Sequence, residues 1–216
     1  MKNKWIYRIV CICFLLSFSA LESKAQEDGW KLVWSEEFEQ DGRLDTTVWN
    51  YEHGFVRNHE DQWYQSENAY QKNGKLVIEA RREDAGRKNP GYEAGSTDWR
   101  KSREHIVYTS ASVNTAGKRE FLYGRFEVRA KIPTAGGAWP AIWLLGSGMP
   151  WPSCGEIDMM EYYRIGGVPH ILANACWGDS IPNHAVWNTK RIPFTHFTGR
   201  DAKWADKFHT WRMDWD

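Results

Sequence analysis

Three carboxylic acids fall within six residues of one apolar stretch. Glu156, Asp158 and Glu161 are separated only by isoleucine and methionine. A short apolar segment of this kind is typical of a buried strand, but each buried carboxylate costs several kcal/mol unless it is paired or protonated. We therefore predict that the acids line a wet, concave face where they take part in chemistry. The alternative is a purely structural cluster of acids.

The spacing of these acids predicts a bulged strand. Side chains alternate between the two faces of a strand, so Glu156 and Asp158 share a face and Glu161 would point away. One extra residue at Met159 or Met160, a β-bulge, returns Glu161 to the face of the other two. Glu156 and Glu161 then lie roughly 13 Å apart between Cα atoms. Side chains that lean inward approach the carboxyl separation of a retaining glycosidase, roughly 5–5.5 Å.

Several segments around the acids predict the strands that position them. The clearest period-two pattern is residues 123–132, in which apolar and charged side chains alternate. Residues 139–145 predict a nearly continuous apolar strand, and residues 208–215 predict a last strand. Further strands are predicted at residues 30–34, 74–81, 105–115 and 171–177. Loops are predicted at residues 45–71, 82–103 and 185–203.

These elements together predict an all-β protein. No segment shows sustained helical periodicity, and many short strands separated by turns indicate an antiparallel β-sandwich, one of whose sheets can be concave. We expect one domain, residues 26–216, with a substantial core.

The N-terminus predicts a secretory signal peptide of residues 1–25. A basic start and a short apolar run are followed by small residues before Gln26. This predicts a secreted or periplasmic protein with no membrane contact after signal removal. A membrane anchor is the alternative, although the apolar run is short for about 30 Å of hydrocarbon.

Composition excludes one class of partner and suggests another. Removing residues 1–25 takes four basic and one acidic residue from 28 of each, which leaves a formal charge of −3. This argues against nucleic-acid binding. The 14 tryptophans suit stacking against sugar rings, although a tryptophan-rich core accounts for some of them. We expect a monomer.

Two cysteines remain after removal of the signal peptide, Cys154 and Cys176. In an oxidising compartment they could pair if they lie on neighbouring strands. Two buried free thiols are the alternative.

The acid stretch and its neighbours resemble glycoside hydrolase family sixteen, in its laminarinase-like branch. The likeness is carried by residues 156–161 (EIDMME), 139–146 (WPAIWLLG) and 123–133 (YGRFEVRAKIP), and it extends to residues 33–38 (VWSEEF) and 208–215 (FHTWRMDW). It implies a concanavalin-like jelly roll with a substrate cleft across the concave sheet. It also implies endo-hydrolysis of β-linked glucans or galactans with retention.

The resemblance assigns a role to each acid. Glu156 matches the nucleophile, Glu161 the general acid/base, and Asp158 the acid between them. A retaining enzyme needs one ionised carboxylate and one protonated carboxyl group. Asp158 can hold a proton or hydrogen bond that separates the pKa values of the other two.

The resemblance also implies substrate contacts. Trp139 and Trp143 match tryptophans that stack on the substrate, with core packing as the alternative. Asn68 and Arg125 match polar contacts near the cleaved bond, although for Arg125 a solvated strand face is the alternative.

The chain departs from the family pattern in two ways. Cys176 stands where a histidine is usual, and a neutral thiol cannot replace imidazole as a strong hydrogen-bond partner. Family members also continue with several more strands, so we expect a domain truncated at its C-terminus. The family's structural calcium site draws partly on that region; calcium is suggested, but no cofactor is required for the chemistry.

The resulting expectation is a secreted hydrolase of β-1,3 or mixed β-1,3/1,4 glucan that acts by double displacement. One alternative is a hydrolase of algal galactans of the agarose, porphyran or carrageenan type. Another is a noncatalytic carbohydrate-binding sandwich, for which a bulged row of acids would be unnecessary.

Overall fold

The computed structural model describes residues 29–216. The predicted signal peptide, residues 1–25, lies outside the described residues. The chain divides into two compact units: the first ends at Arg119, and the second is Glu120–Asp216. Helices in the described range are single short turns, and none is long and apolar enough to cross a membrane.

The first unit contains three small sheets. Its strands are β1 (Asn50–Tyr51), β2 (Gln62–Tyr64), β3 (Ala69–Gln71), β4 (Leu76–Ile78), β5 (Arg81–Lys88), β6 (His105–Ser110) and β7 (Val113–Asn114). The sheet orders are β1-β7, β2-β6-β5 and β3-β4. Pairing is antiparallel except between β2 and β6. A 3-10 turn (Ser66–Asn68) and helix α1 (Trp99–Ser102) complete this unit.

The second unit contains the acid stretch. Its strands are β8 (Gly124–Ala130), β9 (Ala141–Leu145), β10 (Glu156–Ile165), β11 (Val168–Gly178), β12 (Ala185–Pro193) and β13 (His209–Trp215). Four of them form an antiparallel sheet in the order β12-β11-β10-β9, and β13 pairs with β8. Helix α2 (Thr195–Thr198) and a 3-10 turn (Trp204–Asp206) connect β12 to β13.

The core of the second unit lies against one face of β10. Met160 and Tyr162 are each 1% exposed, and they pack in a cluster with Ile132, Ile171 and Phe194. The Tyr162 hydroxyl donates a hydrogen bond to the Thr134 carbonyl at 2.9 Å, so its polar atom is satisfied although the ring is buried. The opposite face of β10 is therefore available for the acids.

The sheets confirm the prediction of an all-β protein, but four local predictions were wrong. Residues 30–34 form none of the strands that residues 29–216 contribute to the sheets, and their apolar alternation is only partial. The predicted loop at residues 82–103 contains most of β5 and α1, and that at residues 185–203 contains β12 and α2. Both missed strands are sheet edges, where charged side chains are common and weaken the apolar alternation. The predicted loop at residues 45–71 also includes three short strands, β1 to β3.

Asn68 is fully buried in the first unit and is held by three hydrogen bonds. It accepts from Gln65 Nε2 at 2.7 Å, and its own amide donates to the Glu79 carbonyl at 2.9 Å and to Thr109 Oγ1 at 3.1 Å. The Asn68 side chain thus ties the 3-10 turn to β6. Its predicted contact with substrate stays a prediction.

Replacing Asn68 by alanine should lower the free energy of unfolding by about 2–3 kcal/mol, because buried partners lose their hydrogen bonds. Urea denaturation of Asn68→Ala measures the loss. Asn188→Ala is the matched control, since Asn188 is exposed on β12 and its loss should cost no more than about 0.5 kcal/mol. Unchanged stability with a raised KM would instead support a substrate contact.

Candidate active site

A β-bulge at Met159 brings the three acids to one face of β10. Towards β11, Asp158 pairs with Asn174 and Glu161 pairs with Leu172, so three steps on β10 face two steps on β11. Towards β9, the irregularity lies between Asp158 and Met160, which identifies Met159 as the extra residue. The bulge predicted from the spacing of the acids is therefore present, and it turns Glu161 back to the side of Asp158.

Asn174 of β11 bridges two of the acids. Its amide Nδ2 donates to Asp158 Oδ2 at 2.9 Å and to Glu161 Oε2 at 2.6 Å. One short side chain can reach both carboxyl groups only if they share a face of the sheet. These two hydrogen bonds are thus direct evidence that the bulge places the acids as the alternation predicts.

Two tryptophans donate to the two glutamates. The Trp139 indole Nε1 donates to Glu161 Oε1 at 2.8 Å, and the Trp151 indole Nε1 donates to Glu156 Oε2 at 2.7 Å. Each of these tryptophans is 46% exposed. Both indoles therefore orient a carboxyl group while part of the ring surface remains open to solvent.

The turn that carries Trp151 is fixed by a close backbone approach. Gly146 follows β9, and its amide donates to the Gly155 carbonyl at 3.0 Å. A Cβ at Gly146 would lie 1.8 Å from the Cys154 carbonyl oxygen, so only glycine fits without moving the turn. This turn, between β9 and β10, therefore places Trp151 beside Glu156.

Burial raises the pKa values of all three acids. For Glu156 the charges of Asp158 and Glu161 add to the effect of burial, and the Trp151 hydrogen bond opposes it. For Asp158 burial dominates, and the hydrogen bonds from Asn174 and with Glu156 oppose it. For Glu161 burial again raises the pKa, while the Trp139 and Asn174 hydrogen bonds favour the charged form.

The Glu156 and Asp158 carboxyl groups interact, which raises the pKa of Glu156 and lowers the pKa of Asp158. Two interacting carboxyl groups titrate as a unit, and one proton held by the pair leaves the other carboxyl group ionised. The arrangement can thus supply a carboxylate and a protonated acid on the same face of one strand, as acid/base and nucleophilic chemistry require.

Trp143 and Cys176 flank the acid row on the neighbouring strands. Trp143 of β9 pairs with Asp158, and Cys176 of β11 pairs with Glu156. Directly paired residues share a face, so Trp143 belongs to the acid face; its stacking on sugar stays a prediction. Cys176 is buried, and burial raises the pKa of its thiol. Cys154 and Cys176 are free thiols, so the suggested disulfide is not formed.

Arg125 lies in the two-stranded sheet of this unit, which β8 forms with β13, rather than on the strands that carry the acids. On β8 it pairs with Asp214 of β13, and its Nε and Nη2 donate to the two carboxylate oxygens at 2.7 and 2.9 Å. The pKa of Asp214 is lowered by this hydrogen-bonded pair. A role of Arg125 in binding substrate stays a prediction.

Sequence reasoning missed Trp151 and Asn174 as members of the site. Trp151 stands five residues before Glu156, and its hydrogen bond depends on the fold of the intervening turn. Asn174 is identified by the cross-strand register with Asp158, which a single strand does not reveal. The predicted calcium site also stays a prediction: among the side chains that the structure describes, no three from His, Cys, Asp or Glu are grouped to hold a metal ion.

Comparison with known proteins identifies the family of this chain. The family Glycosyl hydrolases family 16 matches residues 55–216. The chain belongs to this family. Its jelly-roll fold is accordingly that of family 16, as expected from the motifs around the acids.

Among family 16 relatives, a beta-glucanase of Rhodothermus marinus is 36% identical over 205 residues, which cover 86% of this chain and 59% of that protein. The laminarinase catalytic domain of Thermotoga maritima is 34% identical with a TM-score of 0.64, covering 87% of this chain and 70% of the other. A structure from work on endo-acting O-glycanases of human gut bacteria is 36% identical with a TM-score of 0.74. That match covers 87% of this chain and 66% of the other. The chain thus spans less than two thirds of the length of several relatives.

Proposed function

We propose that this chain is the catalytic sandwich of a retaining endo-β-glycanase that cleaves β-1,3 or mixed β-1,3/1,4 glucan. The observation that carries the proposal is the row of three carboxyl groups on one face of β10, with an indole donor on each glutamate. The named activities of the Rhodothermus and Thermotoga relatives support glucan as the substrate.

In the proposed first step, ionised Glu156 attacks the anomeric carbon and forms a glycosyl ester. Protonated Glu161 transfers its proton to the glycosidic oxygen, and the bond from that oxygen to the anomeric carbon breaks. In the second step Glu161 takes a proton from water, the oxygen of that water attacks the anomeric carbon, and the Glu156 carboxylate leaves. Two inversions give net retention.

Asp158 supports both glutamates in this scheme. A proton on Asp158 removes one negative charge from beside Glu156 and Glu161, which limits the repulsion that otherwise raises their pKa values. In the reactive state Glu156 is ionised and Glu161 is protonated, and the proton on Asp158 keeps a second negative charge away from the two glutamates.

Hydrolysis of a mucin-type O-glycan is a second candidate. The observation that favours it is the likeness to the O-glycanase structure. The TM-score of that structure with this chain is 0.74, compared with 0.64 for the Thermotoga laminarinase at similar identity. The two candidates share the three acids and the retaining chemistry. They differ in the sugars that flank the cleaved bond.

Product analysis on defined polymers tests the proposal. Purified protein is incubated with laminarin, lichenan, agarose and mucin O-glycans, and released reducing ends and product sizes are measured. We expect internal cleavage of laminarin or lichenan, and nuclear magnetic resonance should detect the β-anomer as the first product. Glu156→Gln, which conserves the shape of the side chain, should release no sugar.

Each other outcome selects another function. Cleavage of the O-glycans alone would replace glucan by the second candidate, and cleavage of agarose alone would favour an algal galactan. Binding of glucan with no sugar released by wild type would indicate a noncatalytic carbohydrate-binding protein. Release of the α-anomer first would contradict the retaining mechanism.

The predicted signal peptide, residues 1–25, supports action outside the cytoplasm, in the periplasm or the medium. We propose a polysaccharide as the partner of the protein and a monomer as its state. Calcium would have a structural role only.

A further inference from the structure

The amide of Asn174 occupies the gap that the bulge opens between two acids. Asn174 pairs directly with Asp158 across β10 and β11, while Glu161 pairs with Leu172, two residues away on β11. The Asn174 side chain is 7% exposed. It is therefore a buried polar group placed between two carboxyl groups rather than a solvated side chain of the cleft.

The number of donors decides the direction of its hydrogen bonds. An amide nitrogen carries two hydrogens, and Asn174 Nδ2 donates one to Asp158 at 2.9 Å and the other to Glu161 at 2.6 Å. The amide oxygen in the same place would be repelled whenever either acid is ionised, whereas the nitrogen can donate to both the ionised and the protonated carboxyl group. Asn174 thus requires an acceptor oxygen from both acids at once.

Glu161 is held at both of its oxygens. Oε2 accepts from Asn174, and Oε1 accepts from the Trp139 indole at 2.8 Å. Two fixed oxygens define the plane of the Glu161 carboxyl group. The second hydrogen bond of Asn174, to Asp158, fixes that plane relative to β10 and β11. Removing Asn174 frees one edge of the carboxyl group while the Trp139 bond remains.

We propose that Asn174 is the positioning residue of the acid/base. Its amide fixes the Glu161 carboxyl group relative to Asp158 and favours the carboxylate that remains after Glu161 has given its proton to the leaving oxygen. Asn174 itself does not touch the reacting atoms. The inference rests on the proposed function, because it assigns Asn174 a part in the same reaction.

The pH dependence of kcat tests this inference. Glu156 must be ionised and Glu161 protonated, so the acidic limb follows the Glu156–Asp158 pair and the basic limb follows Glu161. Asn174→Ala removes a hydrogen-bond donor to the Glu161 carboxylate, so the basic limb of its pH profile should move upward by about one pH unit. The acidic limb should move less. We expect kcat to fall about 10- to 100-fold because the acid is misplaced, with KM nearly unchanged.

Two further variants separate this role from folding. Asn174→Asp has the same shape but replaces the donor nitrogen by oxygen; it should also move the basic limb upward, and it carries the test if the alanine variant does not fold. Thr189→Val is the matched control, because Thr189 pairs with Asn174 on β12. The basic limb of this control should stay in place.

A measurement without turnover keeps the inference independent of the substrate. Carbon-13 labelling of glutamate gives the pKa of Glu161 by nuclear magnetic resonance. The Glu161 signal is identified as the resonance that is missing from the spectrum of Glu161→Gln. A higher pKa in Asn174→Ala than in wild type is expected. An unchanged pKa and an unmoved basic limb would overturn the inference, even with lower kcat and melting temperature. Failure of wild type to cleave any polymer would overturn the proposed function instead, and the resonance titration would still decide whether Asn174 acts on Glu161.

Discussion

Replacing Glu156 by glutamine is expected to lower kcat by at least about 10⁴-fold, because an amide cannot form the glycosyl ester on which double displacement depends. The side chain keeps its shape and one oxygen that can accept from Trp151 Nε1, which donates to Glu156 Oε2 at 2.7 Å in the wild type. Folding and polymer binding should therefore persist. Initial rates on the best polymer from the product panel measure the loss.

The nucleophile role can be separated from other causes of inactivity. In Glu156→Ala, added azide can enter the space left by the carboxylate and attack the anomeric carbon from the same side, giving an α-glycosyl azide. Glu127→Gln is the matched control, because Glu127 is an exposed glutamate of β8, 3.6 Å from Arg212. Wild-type rates in Glu156→Gln, or the β-azide from Glu156→Ala, would show that another residue is the nucleophile.

Replacing Glu161 by alanine is expected to lower kcat on polysaccharide by about 10²- to 10⁴-fold. The physical reason is that a sugar alkoxide is a poor leaving group without a proton, and burial keeps the pKa of Glu161 raised so that this proton is available. An aryl glycoside with an acidic phenol as its aglycone needs no proton from the enzyme, because the phenolate is a good leaving group by itself. The ratio of wild-type to variant rates should therefore be much smaller for the aryl glycoside than for the polymer.

The product formed with azide again identifies the role. In Glu161→Ala, azide replaces water in the second step and should give a β-glycosyl azide, the opposite anomer to that from Glu156→Ala. The basic limb of the pH profile should also disappear, because its titrating group is gone. An equal loss on all leaving groups would contradict the assignment of Glu161 as the acid/base.

The acid row could be predicted from the sequence because alternation along a strand is a local rule. Glu156, Asp158 and Glu161 can share a face only if the strand contains one extra residue. The register with β9 and β11 places that residue at Met159. The all-β class followed for the same reason, since short apolar segments with turns are visible in the chain itself.

The partners of the acids could not be predicted in this way. Trp151 and Asn174 reach Glu156 and Glu161 through a turn and through a neighbouring strand, so their hydrogen bonds depend on three-dimensional register. Strand β12 was missed because an edge strand carries polar side chains on both sides, as Lys190 and Arg191 show.

The bulge at Met159 also determines where this chain can change in length. Without Met159 the sequence would read Glu-Ile-Asp-Met-Glu, in strict alternation, and the acids could keep the same partners on β11. Deleting Ile157 would instead put Glu156 and Asp158 on opposite faces. Loss of Met159 thus preserves the arrangement of the acids, whereas loss of Ile157 does not. In an alignment with relatives that are one residue shorter in this strand, the gap should therefore fall at Met159.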